Sequence, residues 1–156
     1  IALRSGDTED DELLGRKIAD SLWAVYASRG YLERFGRPAG TCDLRQHALV
    51  GFDDTLAKHR VAQWLAAVAP GVELAGRCHS VLGLVDSVKA GVGIAPLPVA
   101  LGDAEADLVR IIDVVPELTR AWRLLTTQAL RKTPRVSAFF DFVVEESETL
   151  RSILTG

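Results

Sequence analysis

The chain has 156 residues, of which 48% are hydrophobic and 25% charged, and its net charge is −3. That length suits one ordinary domain or two small lobes sharing a core, and the balance is that of a folded globular protein rather than a disordered one. The mildly acidic charge argues against a nucleic-acid-binding surface, and no apolar run approaches the roughly 20 residues that cross a bilayer.

Ile1 to Leu3 read as a strand entered midway, with Arg4-Ser5-Gly6 at its end and no secretory leader before it, so the chain is expected to be part of something longer. Asp7 to Glu12 is an acidic stretch broken only by Thr8; its spacing matches no calcium loop and reads as a solvated loop. Leu13 to Ala19 and Leu22 to Ala27 read as extended. Ser28 caps a short helix carrying Tyr31, Leu32 and Phe35 on one side and ending at Gly36. Ala48 to Phe52 is a strand with Asp53-Asp54-Thr55 at its carboxyl end. A helix from about Lys58 to Val68 follows, with Val61, Trp64, Leu65 and Val68 on one face, and Pro70-Gly71 stops it.

Val72 to Cys78 reads as extended, and Ser80 then caps a helix whose apolar face is Val81, Leu84, Val85 and Val88. Gly91 ends this helix, and Gly93 starts a buried strand that is expected to halt at Pro96. Helix, glycines, strand is the reverse of a phosphate-binding loop, where the glycines follow a strand and open a helix. Pro98 to Leu101 reads as a helical turn, and Leu108 to Ile112 and Trp122 to Thr127 as strands. Thr133 caps a last helix with Pro134 in its first turn; Val136, Phe139, Phe140, Val143, Leu150, Ile153 and Leu154 keep its period. Arg131, Lys132 and Arg135 form the densest basic cluster and read as a solvated helix start.

The alternation of strands and helices from Leu22 to Ile112 implies an α/β architecture with a largely parallel sheet. Ligands in such sheets bind at the carboxyl ends of strands, which singles out Arg4-Ser5, Phe52-Asp53-Asp54 and His79-Ser80. Cys42 and Cys78 lie far apart without zinc-site spacing, and read as free thiols. No Gly-x-Ser-x-Gly elbow is present. Cys78 beside His79 suggests a nucleophile pair, but neighbours at a strand end point apart, so a buried, inert Cys78 is expected. His47 and His59 read as surface residues.

The run from His79-Ser80-Val81-Leu82 to Val88-Lys89-Ala90-Gly91-Val92-Gly93-Ile94-Ala95-Pro96-Leu97-Pro98 resembles the effector-domain signature of LysR-type transcriptional regulators. So do Ser28 to Phe35, Asp43-Leu44 to Gly51, Asp107 to Arg110, Trp122 to Thr126 and Thr133 to Val136 with Phe139 to Phe142. The order and spacing of these motifs carry the similarity over essentially the whole chain.

The resemblance implies an α/β, periplasmic-binding-protein-like (type II) fold of two lobes, with a small-molecule inducer held in the cleft between them. It implies a second lobe, residues 21–116, that is complete, and a first lobe, residues 1–20 and 117–156, that is partial. The family's winged helix-turn-helix, and the strand–helix–strand–helix that precedes the strand matched by Ile1 to Leu3, have no counterpart in the chain. DNA contact would therefore come only through the absent domain, and apolar faces left uncovered would favour a dimer or larger assembly. A cytoplasmic bacterial regulator with no cofactor, no metal, no membrane contact and no enzymatic activity is expected; the alternative is a solute-binding protein of a transport system with the same fold.

Carried over by position, Arg4, Ser5, Phe52, Asp53, His79 and Ser80 would line the ligand site. Arg4 or Ser5 could bind a carboxylate, the N-terminus of the Ser80 helix could hold an anion, and His79 could act as donor or acceptor. Plain structural roles stand beside these: Ser80 as a cap, Arg4 in solvent or paired with the acidic stretch, Asp53 and Asp54 as turn residues. Asp53 would repel an acidic ligand unless Arg4 neutralised it; a site of both signs suits a zwitterion or a polar neutral molecule.

Overall fold

A computed structural model describes residues 1–6 and 13–156; the acidic stretch from Asp7 to Glu12 lies outside the described residues. In chain order the elements are β1 (Ala2–Ser5), β2 (Leu13–Ser21), β3 (Trp23–Ser28), α1 (Arg29–Phe35), β4 (Val50–Phe52), α2 (Arg60–Val68), β5 (Gly76–Cys78), α3 (Val81–Lys89), β6 (Ala95–Pro98), α4 (Val99–Gly102), β7 (Leu108–Ile112), β8 (Arg120–Thr127), α5 (Gln128–Arg131), α6 (Pro134–Glu145) and α7 (Ser147–Thr155). They divide into two units: unit 1 is Ile1–Leu22 with Thr119–Gly156, and unit 2 is Trp23–Leu118.

Unit 1 is an antiparallel sheet in the order β1-β8-β2. A bulge between Lys17 and Ala19 turns the adjacent Ile18 and Ala19 both inward, where strict alternation would expose one of them. Ile18 joins Leu124, Phe140 and Val143 in a small core, with Val144, Leu150 and Leu154 packed on it. The single last helix expected from periodicity is two. The chain breaks at Glu146, and α7 packs on β2. A straight helix over these 22 residues would run roughly 33 Å, past the end of a three-stranded sheet; the break returns Leu150 and Leu154 to the core. Thr133 is also not a side-chain cap: only its carbonyl serves, accepting from the Val136 and Ser137 amides. Arg131 is committed rather than merely solvated. Its guanidinium bonds Ser137 Oγ at 2.5 Å and Asp141 Oδ1 at 2.6 Å, and lies 4.6 Å from the Phe140 ring centre.

In unit 2, β3 is buried at every residue and lies between β6 and β7, antiparallel to both. Parallel pairing is confined to β4 with β5 and to a bridge between Leu49 and Ile94. The largely parallel sheet expected from alternation is therefore not what forms. No helix separates β2 from β3, so β3 does not enter as a crossover strand would.

In unit 2 the Ser28 and Ser80 caps form as the sequence implies. Ser28 Oγ accepts from the Tyr31 amide at 3.2 Å and Ser80 Oγ from the Gly83 amide at 3.1 Å. Gly91 ends the α3 segment at φ +72°, a left-handed conformation that favours glycine. Pro96 does not halt β6, which continues to Pro98. Pro96 and Pro98 are two residues apart, so both lie on the edge that faces away from β3, where neither needs to donate to that strand. From Val72 to Ala75 no strand forms, yet Val72 and Leu74 are half-buried while Glu73 and Ala75 are exposed.

The two histidines read as surface residues are packed. Tyr31 Oη accepts from the Ala48 amide at 3.0 Å and lies 3.2 Å from His47 Nδ1. His59 caps α2, with Nδ1 accepting from the Val61 amide at 3.3 Å. Its ring lies edge-on to Phe52 at 4.8 Å and tilted against Trp23 at 6.0 Å. Burial, and then the Arg60 charge, hold its pKa below the ordinary histidine value.

Three outcomes test this packing. A Cβ on Gly93 would stand 2.5 Å from the Ala48 carbonyl oxygen, so Gly93→Ala should cost about 1–3 kcal/mol in urea denaturation. Gly30→Ala, in α1 with open space around it, should instead stabilise by about 0.4–1 kcal/mol. Because the folded state disfavours protonated His59, its contribution is present at neutral pH and lost as pH falls below about 6.5. Stability measured from pH 7.5 downward should fall less steeply in His59→Asn, which keeps an acceptor for the cap.

Candidate functional site

The register of β4 and β5 builds one polar edge on unit 2. Val50, Gly51 and Phe52 pair in parallel with Gly76, Arg77 and Cys78. The residues that follow, Asp53 and His79, therefore emerge side by side at the carboxyl ends of both strands, and the Asp53 amide donates to the Cys78 carbonyl at 2.9 Å. Asp53 Oδ1 accepts from the Thr55 amide at 3.0 Å and the Thr55 hydroxyl at 2.5 Å. These bonds, the hydroxyl's first, and the nearby His79 as a smaller influence hold the Asp53 carboxyl below its usual range.

Ser80 opens α3 beside His79. Its side chain serves the Gly83 amide and its carbonyl accepts from Leu84 at 3.2 Å. The first-turn amides of Val81 and Leu82 have no partner within the helix, and the helix dipole adds partial positive charge there. His79 is exposed, Asp53 and Ser80 half-exposed. Close by, Arg77 Nη1 lies 3.3 Å from Asp54 Oδ1. The edge thus offers a fixed carboxylate, an imidazole, and amide donors at a helix end, which together suit a small polar molecule bearing both a donor and an acceptor.

Of the six residues expected at a ligand site, the structure brings Asp53, His79 and Ser80 together. Phe52 is only 4% exposed and backs the edge through its contact with His59. Arg4 and Ser5 belong to unit 1, where both are exposed on β1 and pair across the sheet with Arg123 and Trp122. Cys78 turns inward, with Sγ 3.3 Å from Ser87 Oγ, while His79 turns out. Among the described residues no three His, Cys, Asp or Glu side chains gather as a metal-binding group, and no helix is long and apolar enough to cross a membrane.

Sequence reasoning missed four contributors. Thr55 reads only as one of the polar residues at the carboxyl end of a strand, although an Asp followed two residues later by Thr is a local turn signal. Arg77 carried no signal. His59 and Trp23 meet only in three dimensions, and Trp23 Nε1 is a buried donor for which no acceptor is found among the described residues.

Known proteins converge on one family. A family model described as the LysR substrate binding domain matches residues 1–148. The HTH-type transcriptional regulator CrgA of Neisseria meningitidis serogroup B is 28% identical over 154 residues, covering 94% of this chain and 50% of that protein. An HTH-type transcriptional regulator of Haemophilus influenzae is 30% identical over 124 residues, covering 75% of this chain and 41% of that protein. The solved regulatory domain of CrgA matches with a TM-score of 0.73 at 28% identity, over 92% of this chain and 73% of that one. The regulatory domain of AphB from Vibrio vulnificus, at 21% identity and a TM-score of 0.69 over 92% of this chain and 73% of that one, shares the fold. The chain spans about half the length of the curated relatives it matches. These relatives are transcriptional regulators, not enzymes, and the architecture is that of their regulatory domains. The chain belongs to the LysR substrate-binding domain family.

Proposed function

We propose that this chain is the effector-sensing part of a LysR-type transcription regulator acting in the bacterial cytoplasm. It holds a small polar molecule at the carboxyl ends of β4 and β5. The observation that carries this reading is the convergence of Asp53, His79 and the capped N-terminus of α3 on one edge. Asp53, kept ionised, disfavours a ligand that is only acidic; the helix amides disfavour one that is only cationic. A zwitterion or polar neutral molecule satisfies both. The character of the relatives as transcriptional regulators favours this reading over a transport-associated solute carrier. In the whole protein a separate winged helix-turn-helix domain contacts DNA, and the effector acts by binding one of two arrangements of the assembled regulator more tightly.

The exposed apolar side chains of unit 1 support self-association. Leu3, Leu14 and Leu130 are exposed on or beside its sheet, and on its helices Phe142 is 58% and Ile153 64% exposed. Such surfaces associate in water.

Four outcomes test these proposals. A true effector raises the melting temperature of the chain with ligand concentration, by mass action on the native state. Ser80→Ala removes a cap and should cost about 1 kcal/mol of stability as well as affinity. His79→Ala, at an exposed position, should weaken the effector without lowering stability, and unchanged affinity in both variants excludes this edge as the site. Light scattering at increasing concentration should report a dimer or larger species, and a persistent monomer excludes self-association of this chain.

A further inference from the structure

Two routes inside unit 2 connect His59 to Asp53. The first is backbone. The Leu56 amide donates to the Asp53 carbonyl at 3.0 Å, and the His59 amide to the Leu56 carbonyl at 2.8 Å. The short turn over Asp54–Leu56 thus ties Asp53 to His59 through two bonds in series. The second route is aromatic. The His59 ring stands edge-on to Phe52 at 4.8 Å, and Phe52 is the residue before Asp53. The same ring caps α2, with Nδ1 accepting from the Val61 amide at 3.3 Å. A neutral imidazole in that role carries its one proton on Nε2.

A second proton goes to Nδ1, where it faces the Val61 N–H. Two donors cannot bond each other, so the cap is lost. The start of a helix also disfavours a cation. The neighbours offer the ring no compensation. β3 and β4 present the uncharged rings of Trp23 and Phe52. In α2, Arg60 donates through Nε to the Leu118 carbonyl at 2.9 Å, with its guanidinium 5.2 Å from the Trp23 ring centre. Asp54, Lys58 and Glu117 are exposed, and the Asp53 carboxylate is held by Thr55. Burial and the Arg60 charge both oppose protonation of the ring. On the reading of this edge as the effector site, we infer that His59 is a proton-operated switch beneath it. Acid turns the ring away from Val61 and, through Phe52 and the Asp54–Leu56 turn, displaces Asp53. An effector that needs Asp53 in place binds the neutral-His59 form more tightly. By reciprocity, its binding draws the proton off His59.

The test uses amide and imidazole NMR of the 156-residue chain without effector, from about pH 8 to about pH 5. The Asp53 carboxyl, held below its usual range, stays ionised throughout. His79 also acts on Asp53, so the chain tested carries His79→Gln. The Val61, Leu56 and Asp53 amides should shift together, with the midpoint of the His59 ring and not that of His47. Adding His59→Asn, which keeps an acceptor for the cap, should leave the chain folded and remove the Leu56 and Asp53 shifts. A shift confined to Val61 overturns the switch, as do Leu56 and Asp53 shifts that survive His59→Asn. A His59 ring that stays neutral down to about pH 5 overturns it too. The effector edge is tested apart from this, by affinity in Ser80→Ala and His79→Ala. An effector bound elsewhere leaves the His59–Asp53 coupling standing, whereas an edge that binds effector without this coupling sinks the switch alone.

Discussion

Two backbone hydrogen bonds join the parts of unit 2. The Ile94 amide donates to the Ala48 carbonyl and the Val50 amide to the Ile94 carbonyl, both at 2.9 Å. Through this single parallel bridge the β4–β5 pair is attached to the antiparallel sheet built on β3. The approach is so close that position 93 has no room for a side chain. Gly91, two residues earlier, closes the α3 segment in a left-handed conformation that delivers the chain to the bridge. The glycines are scaffold. They fix where β4 and β5 end, and hence where Asp53 and His79 emerge.

At that edge the local hydrogen bonds divide the work. Thr55 holds Asp53 in one orientation and keeps it ionised, so the negative charge is a constant of the site. Ser80 satisfies one amide at the start of α3 and leaves the first-turn amides turned outward. His79 is the one group of the three that the fold leaves exposed. Beneath them Phe52, His59 and Trp23 form an aromatic floor that is structural rather than exposed to a ligand.

What was legible in the sequence was local. The Ser28 and Ser80 caps, the ends at Gly36 and Gly91, and the strand Leu108–Ile112 each depend on a few adjacent residues, and all form as expected. Strand order also implied that Asp53, His79 and Ser80 stand near one another, and they do, while Phe52 is buried and Arg4 and Ser5 belong to the other unit. What was not legible depends on partners distant in the chain. The direction of β3 is set by β6 and β7, some 70 and 80 residues on. His59 is half-buried against Phe52 and Trp23, which no periodicity connects. The break at Glu146 answers the size of a core that includes Ile18 and Leu124, not the helical propensity of the segment.

Pro96 has a consequence beyond its own strand. In the ladder between β4 and β6 the alternating donors are Ile94 and Val50, and the next would be residue 96 bonding back to Val50. A proline there has no hydrogen to give. The seam between the two strands therefore stops after one stitch, although β6 itself continues along β3. Beyond the stitch β4 is tied only to β5, so the tip bearing Asp53 is zipped on one side and open on the other. A missing proton, rather than an added side chain, is what ends the seam there.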